Sequence, residues 1–169
     1  MRGLVLCLLV GVLAGCATRP NCDPRELADQ AVAQAVPAAD LGQRYPACPD
    51  RMAEIRAAHA QVVAERCRPA DAWQAGSAHR AADPVCEALG DRPWREAHRL
   101  GWRYGEFEEE LEDIRDDLAE ADGREAGRLR LEERRIIREM EQIEGVARIR
   151  GWPLQRVESA IEQAISVDQ

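Results

Sequence analysis

Three observations predict an all-α protein. The composition is rich in Ala, Arg and Glu and holds four Trp, two Tyr and one Phe among 169 residues, which favours helices over sheet. Apolar residues from Ala97 to Ala121 recur at intervals of 3, 4, 3, 4, 3, 4 and 3, an a/d heptad seam. Helix-start chemistry also recurs, as in Asp23-Pro24-Arg25-Glu26. The expected architecture is a small disulfide-stapled helical region (24–90), a long antiparallel helical hairpin resembling a coiled coil (94–150), and a short C-terminal helix (153–166).

The chain opens on Arg2 and an apolar run, Leu4 to Ala14, that ends in Leu13-Ala14-Gly15-Cys16. The run is too short for the roughly 20 residues of a spanning helix and fits a signal peptide over residues 1–15. A small residue followed by Cys behind such a run is a lipoprotein signal. It predicts cleavage between Gly15 and Cys16, with diacylglycerol on the Cys16 sulfur and acylation of the new amino terminus. An uncleaved N-terminal helix is the alternative. Residues 16–23 then form a tether.

Cys7 leaves with the leader and Cys16 carries lipid, so Cys22, Cys48, Cys67 and Cys86 remain. Four cysteines in an exported chain predict two disulfides with three possible connectivities. The neighbour pairing, Cys22–Cys48 and Cys67–Cys86, is favoured. A metal site built from Cys67, His79, Cys86 and His98 is the rival, but no CxxC or HxxxH spacing supports it.

In the first helix Asp23 is the expected cap, Pro24 the first helical residue and Glu26 the reciprocal capping residue. Leu27, Ala31 and Ala35 share a face, and Pro37 is expected to end it. Val36 to Pro49 reads as a loop closing over the core. Asp50 is expected to cap a second helix lined by Met52, Ile55, His59, Val62 and Val63, with His59 a packed core residue. A short helix from Asp71 bears Trp73 and Gly76, where another backbone could approach closely, and Pro84 closes it. Leu89 to Pro93 reads as a linker.

The seam then runs through Ala97, Leu100, Tyr104, Phe107, Leu111, Ile114, Leu118 and Ala121, and its register fails at Asp122-Gly123. A second apolar stripe follows through Leu129, Ile136, Ile137, Met140, Ile143, Val146 and Ala147. One long helix with a stutter and two antiparallel helices both fit. Residues 106–122 carry ten acids against Arg115, while 124–150 carry eight Arg against six Glu. That asymmetry favours the hairpin. Folding at Gly123 would bring Leu118 near Leu129, Leu111 near Ile136, Phe107 near Met140 and Leu100 near Ala147. Trp152 is expected to return near Trp94. Leu154, Val157, Ile161, Ala164 and Ile165 share one face of the final helix.

All 23 basic residues are Arg, against 31 acids. Losing Arg2 with the leader makes the formal charge near −9, so nucleic acid and anionic lipid surfaces are poor partners for the whole molecule. The three serines lie in no nucleophile elbow, no phosphate loop is present, and the acidic run around Glu108-Glu109-Glu110 lacks the Gly-turned cage of a Ca²⁺ loop. No cofactor or metal is indicated.

The segment with Cys67, Trp73, Gly76 and Cys86, followed by Trp94, Ala97, Gly101 and a long charged helix, resembles the bacterial lipoproteins grouped as domain of unknown function 2799. The similarity covers roughly Cys16 to Leu118. His79 and Ala82 stand where members often have Gly and an aromatic residue, and the Trp and Gly usual in the first helix are missing between Glu26 and Ala35. The resemblance implies an envelope location and a helical build, and it supplies no catalytic residue.

The functional expectation is a lipid-anchored envelope protein facing the periplasm. Ala17 rather than Asp after Cys16 points to the outer membrane. Its hairpin would be a structural or protein-interaction module for an envelope partner. Two other readings are an enzyme gathering His59, His79 or His98 in the cysteine-stapled region, and a homo-oligomer paired through the seam.

Overall fold

The computed structural model describes residues 21–154. The lipidation residue Cys16, its bond to Gly15 and the expected final helix beyond Leu154 lie outside the described residues. Among those described there are seven α-helices, one 3-10 turn and no strand.

Helix α1, Pro24–Ala33, starts as its residues dictate: Pro24 stands in the first turn, and the Asp23 carboxylate accepts the Glu26 backbone N–H at 2.9 Å. The reciprocal half of the capping box is absent, because the Asp23 N–H donates to Asn21 Oδ1 and Glu26 accepts from Asn21 and Gln30 instead. The helix ends at Ala33, four residues before the expected stop at Pro37. Ala35 turns the chain with φ +53°, and the Val36 N–H returns to Ala31 O.

The loop over 36–49 does close over the core. It contains a single turn, α2 (Leu41–Arg44), that buries Leu41 completely, while the Tyr45 hydroxyl donates to Leu27 O at 3.0 Å. Asp50 does not cap the next helix. It sits inside a 3-10 turn, Pro49–Arg51, and α3 (Met52–Arg66) starts without a side-chain cap. α3 lies antiparallel on α1, with Arg25 paired to Glu65 and His59 to Val36.

Proline also moves the next boundaries. Asp71 is not the start of α4, which spans Pro69–Ser77 with Pro69 in its first turn. Pro84 opens rather than closes a helix: α5, Pro84–Leu89, is capped by Asp83, whose carboxylate accepts from the Val85 and Cys86 N–H groups. Proline has no N–H to lose in a first turn, so the same residue that breaks a helix interior fits there. The expected linker shrinks to Gly90-Asp91, and Asp91 caps α6.

The helices α6 (Arg92–Glu120) and α7 (Gly123–Arg150) form the hairpin. Two extended residues, Ala121 and Asp122, reverse the chain, and Gly123 enters α7 with φ +49°. The stuttered single helix is thereby excluded. Tyr104–Glu144, Arg103–Glu139, Glu110–Arg135 and Arg115–Glu133 set the antiparallel register. The eight residues expected to face one another across the arms all belong to one apolar cluster.

That cluster continues into the base. Trp73 is 1 % exposed, stacks on Trp152 at 5.8 Å, meets Tyr104 at 5.5 Å, and donates its indole N–H to Pro153 O at 2.7 Å. Trp152 therefore returns to the base, stacked on Trp73 and in one apolar cluster with Trp94, guided by Gly151, which ends α7 with φ +70°.

Candidate functional site

The cysteines fall into the neighbour pairing. Cys22–Cys48 fastens the start of the described chain to the turn before α3, and Cys67–Cys86 joins the end of α3 to α5. Both sulfurs expected by the rival metal reading are thus consumed in a disulfide.

Between these staples, α4 crosses α6 through glycine. A Cβ on Gly101 would lie 2.4 Å from Trp73 O, and one on Gly76 would lie 2.3 Å from His98 O. The third contact, at Gly105, would meet Ser77 O at 2.8 Å. Backbone therefore rests on backbone, as the sequence suggested for Gly76. The partners of that approach, Gly101 and Gly105, carried no such signal until the crossing was known.

The seam residues Tyr104, Phe107, Leu111 and Ile114 are buried, with Leu100 and Leu118 half-buried against the same cluster. They are occupied by α7 of the same chain. Beside them lies an unexpected polar group. Tyr104 Oη donates to Glu144 Oε1 at 3.0 Å, and half-buried Glu108 sits next to this pair. Burial raises the Glu108 carboxyl above its ordinary value, the Glu144 charge adds to the rise, and His79 opposes it. Burial and the bond to Glu144 also push the Tyr104 phenol up. The cavity among Trp73, Ser77, Tyr104, Glu108 and Leu154 is about 10 Å³, room for one water at most. A carboxyl of this kind suits acid–base chemistry, but the cavity beside it is too small to hold a substrate.

The three histidines are not gathered. His59, in the α1–α3 core, donates from Nε2 to Val36 O at 2.9 Å. His79 stacks on Trp102 at 4.9 Å and places Nδ1 3.0 Å from Glu109, while His98 lies 6.2 Å from Trp102 and stacks on Trp94. Each imidazole also has a ring nitrogen on a backbone carbonyl, Trp102 O for His79 and Arg80 O for His98. Both of these rings lie against Trp102.

No known protein family, curated protein or solved structure matches the chain.

What remains is surface. A shallow groove of about 280 Å³ runs along the α6–α7 junction over Leu100, Phe107, Ile143 and Val146, with Arg99 and Arg103 on its rim. A second, about 390 Å³, adjoins it between Arg99, Trp102 and Glu106. Both open broadly to solvent, unlike the enclosed pockets that bury small ligands. Exposed Trp102, Val146 and Ile149 stand along the same end of the hairpin, the kind of surface that meets another macromolecule.

Proposed function

We propose that this chain is a lipid-anchored cell-envelope protein, held at the outer membrane through Cys16 and facing the periplasm, whose hairpin is a protein-interaction arm. The observation that carries the reading is the pair of disulfides behind a lipoprotein signal, since such bonds persist where thiols are not continually reduced. A helical build and a cysteine, tryptophan and glycine pattern that resembles the domain of unknown function 2799 lipoproteins support it further. Two acyl-bearing groups on Cys16 would provide stable attachment, beyond the marginal hold of one chain. Among the described residues no helix is long and apolar enough to cross a membrane, so attachment in this reading rests on lipid.

The test is fractionation of cells expressing the full chain and its Cys16→Ser variant. The wild type is expected in the membrane fraction with a lipid-sized mass increment on Cys16. The variant is expected to lose that increment and the cleavage at Gly15. Unmodified Cys16 in the wild type, or four free thiols among Cys22, Cys48, Cys67 and Cys86, would overturn the proposal.

A further inference from the structure

One exposed stripe of α6 segregates charge end to end. Its first half presents Arg92, Arg95, Arg99 and Arg103, all exposed, at the 3- and 4-residue intervals of one helix face. Continuing the same face, its second half presents Glu109, Asp113, Asp117 and Glu120, exposed as well. α7 and α4 cover the other sides of the helix, where Leu111 and Ile114 meet the hairpin core and Gly101 meets Trp73. Among the described residues Arg92, Arg95, Arg99, Asp113, Asp117 and Glu120 have no ion pair.

This order opposes the helix macrodipole, which favours acids in the first turn and bases in the last. α6 has neither, whereas α7 has Glu125 in its first turn and Arg148 and Arg150 in its last. The neighbouring arm offsets part of the repulsion, since Arg135 reaches Glu110, but it does not reach the outer acids. A stripe that costs the single chain stability in this way is complementary to its own reversed copy.

We infer that the hairpin pairs with a second copy of this chain, α6 against α6, antiparallel about a two-fold axis near Glu106. That register places Arg92 against Glu120, Arg95 against Asp117, Arg99 against Asp113 and Arg103 against Glu109, every pair twice by symmetry. Arg103 and Glu109 already hold Glu139 and His79, so the three outer pairs dominate. The two Glu106 carboxylates meet near the axis, where each accepts its own Trp102 indole N–H at 3.1 Å. Exposed Trp102 flanks the axis on both sides and supplies the apolar contact. A parallel pairing would set Arg on Arg and acid on acid, so the charge order selects direction as well as partner. The contact strip is about 40 Å long and one helix wide, at the small end of specific interfaces. The association is accordingly weak, reversible and suppressed by salt. This pairing gives the interaction arm proposed above its partner but does not depend on the lipid, so a failure here leaves the Cys16 test untouched.

The experiment co-expresses two copies of the full chain bearing different affinity tags, solubilises them in mild detergent and captures through one tag. Wild type is expected to bring down wild type at low ionic strength and to lose it at high salt. Arg95→Glu with Arg99→Glu is expected to capture itself at least about tenfold less, as is Asp113→Arg with Asp117→Arg. Mixed with each other, the two variants restore both sets of opposite charges and are expected to recover capture. The arginine-to-glutamate variant puts acids near the α6 N-terminus, where the dipole favours them, so its thermal melt is expected to be unchanged or raised. Absence of wild-type self-capture, or capture indifferent to these swaps, overturns the inference.

Discussion

The two ends of the hairpin are held by opposite means. At the base, α4 meets α6 where side chains are missing, and the position of each helix is set by Gly76, Gly101 and Gly105 letting backbones touch. In the outer arm, α6 meets α7 through side-chain volume, with Leu111, Ile114, Leu129 and Ile136 filling the seam. The base tolerates no added atom, while the arm has a 63 % exposed Leu131 and glycines with nothing within 4 Å of an added Cβ. One end is therefore defined by close fit and covalent staples, the other by pattern. Substitutions of the same chemistry should have different consequences at the two ends.

The largest effect is expected for Trp73→Ala, which empties the place where α4, α6 and the Trp152 turn converge and removes the partner of Pro153 O. A loss of about 4 kcal/mol is expected in urea unfolding; a loss below about 1 kcal/mol would show that the base is not a tightly fitted joint. Cys67→Ser with Cys86→Ser opens a closure of 19 residues and is expected to cost about 3 kcal/mol. The same titration on oxidised and reduced wild type checks it, since reduction also opens Cys22–Cys48 and should cost at least as much.

Much of this contrast could be read from the residues, and the arm was easier than the base. A 3–4 repeat interrupted at Asp122-Gly123 suffices for a hairpin, because the seam must be buried and the nearest cover is the next stripe. The base depends on which helices cross, and that is settled by long-range packing. The return of Trp152 to the base near Trp94 is legible in the sequence, but its stack on Trp73 is not, because nothing local marks one indole as the partner. Pro84 opens a helix where the sequence suggests that it closes one, because proline signals both a helix end and a helix start, and only the tertiary fold decides which. Glu108 was hidden inside an acidic run; nothing local separates one half-buried carboxylate from its solvated neighbours Glu109 and Glu110. Arg95 and Asp117 sat in plain view, but their meaning needed the exposed face of α6.

Gly101→Ala tests the joint with a single methyl. Alanine gains helix propensity, yet its Cβ would be driven against Trp73 O at 2.4 Å. A net loss of about 2 kcal/mol is expected. Any stabilisation would mean that the α4–α6 crossing relaxes freely.

A smaller effect comes from pH. The Glu108 carboxyl is raised in the folded chain by burial and by Glu144, so between the ordinary carboxylate value and the raised one the folded state binds more protons than the unfolded state. Stability should then fall as pH rises through that window. Glu108→Gln removes the slope. It is expected to stabilise the protein at neutral pH by less than about 1 kcal/mol, since the group is partly solvated. It should match wild type at acid pH, where Glu108 is protonated in either state. Thermal melts of both proteins across the acid range check the crossing, and equal displacement at every pH would remove Glu108 as its source.

The smallest effect carries the comparison furthest, because it repeats the Gly101 substitution with the opposite sign. Gly127 lies within α7 in the outer arm, and an added Cβ there meets nothing within 4 Å. Alanine at this site loses no packing and restricts the unfolded chain, so about 0.5–1 kcal/mol of stabilisation is expected. For a chain of this size that corresponds to a rise of about 3 °C in Tm. If Gly101→Ala lowers Tm and Gly127→Ala raises it, the sign follows from what lies opposite the missing side chain and not from helix propensity. If Gly127→Ala instead lowers Tm, the arm is as tightly fitted as the base and the distinction between the two ends fails.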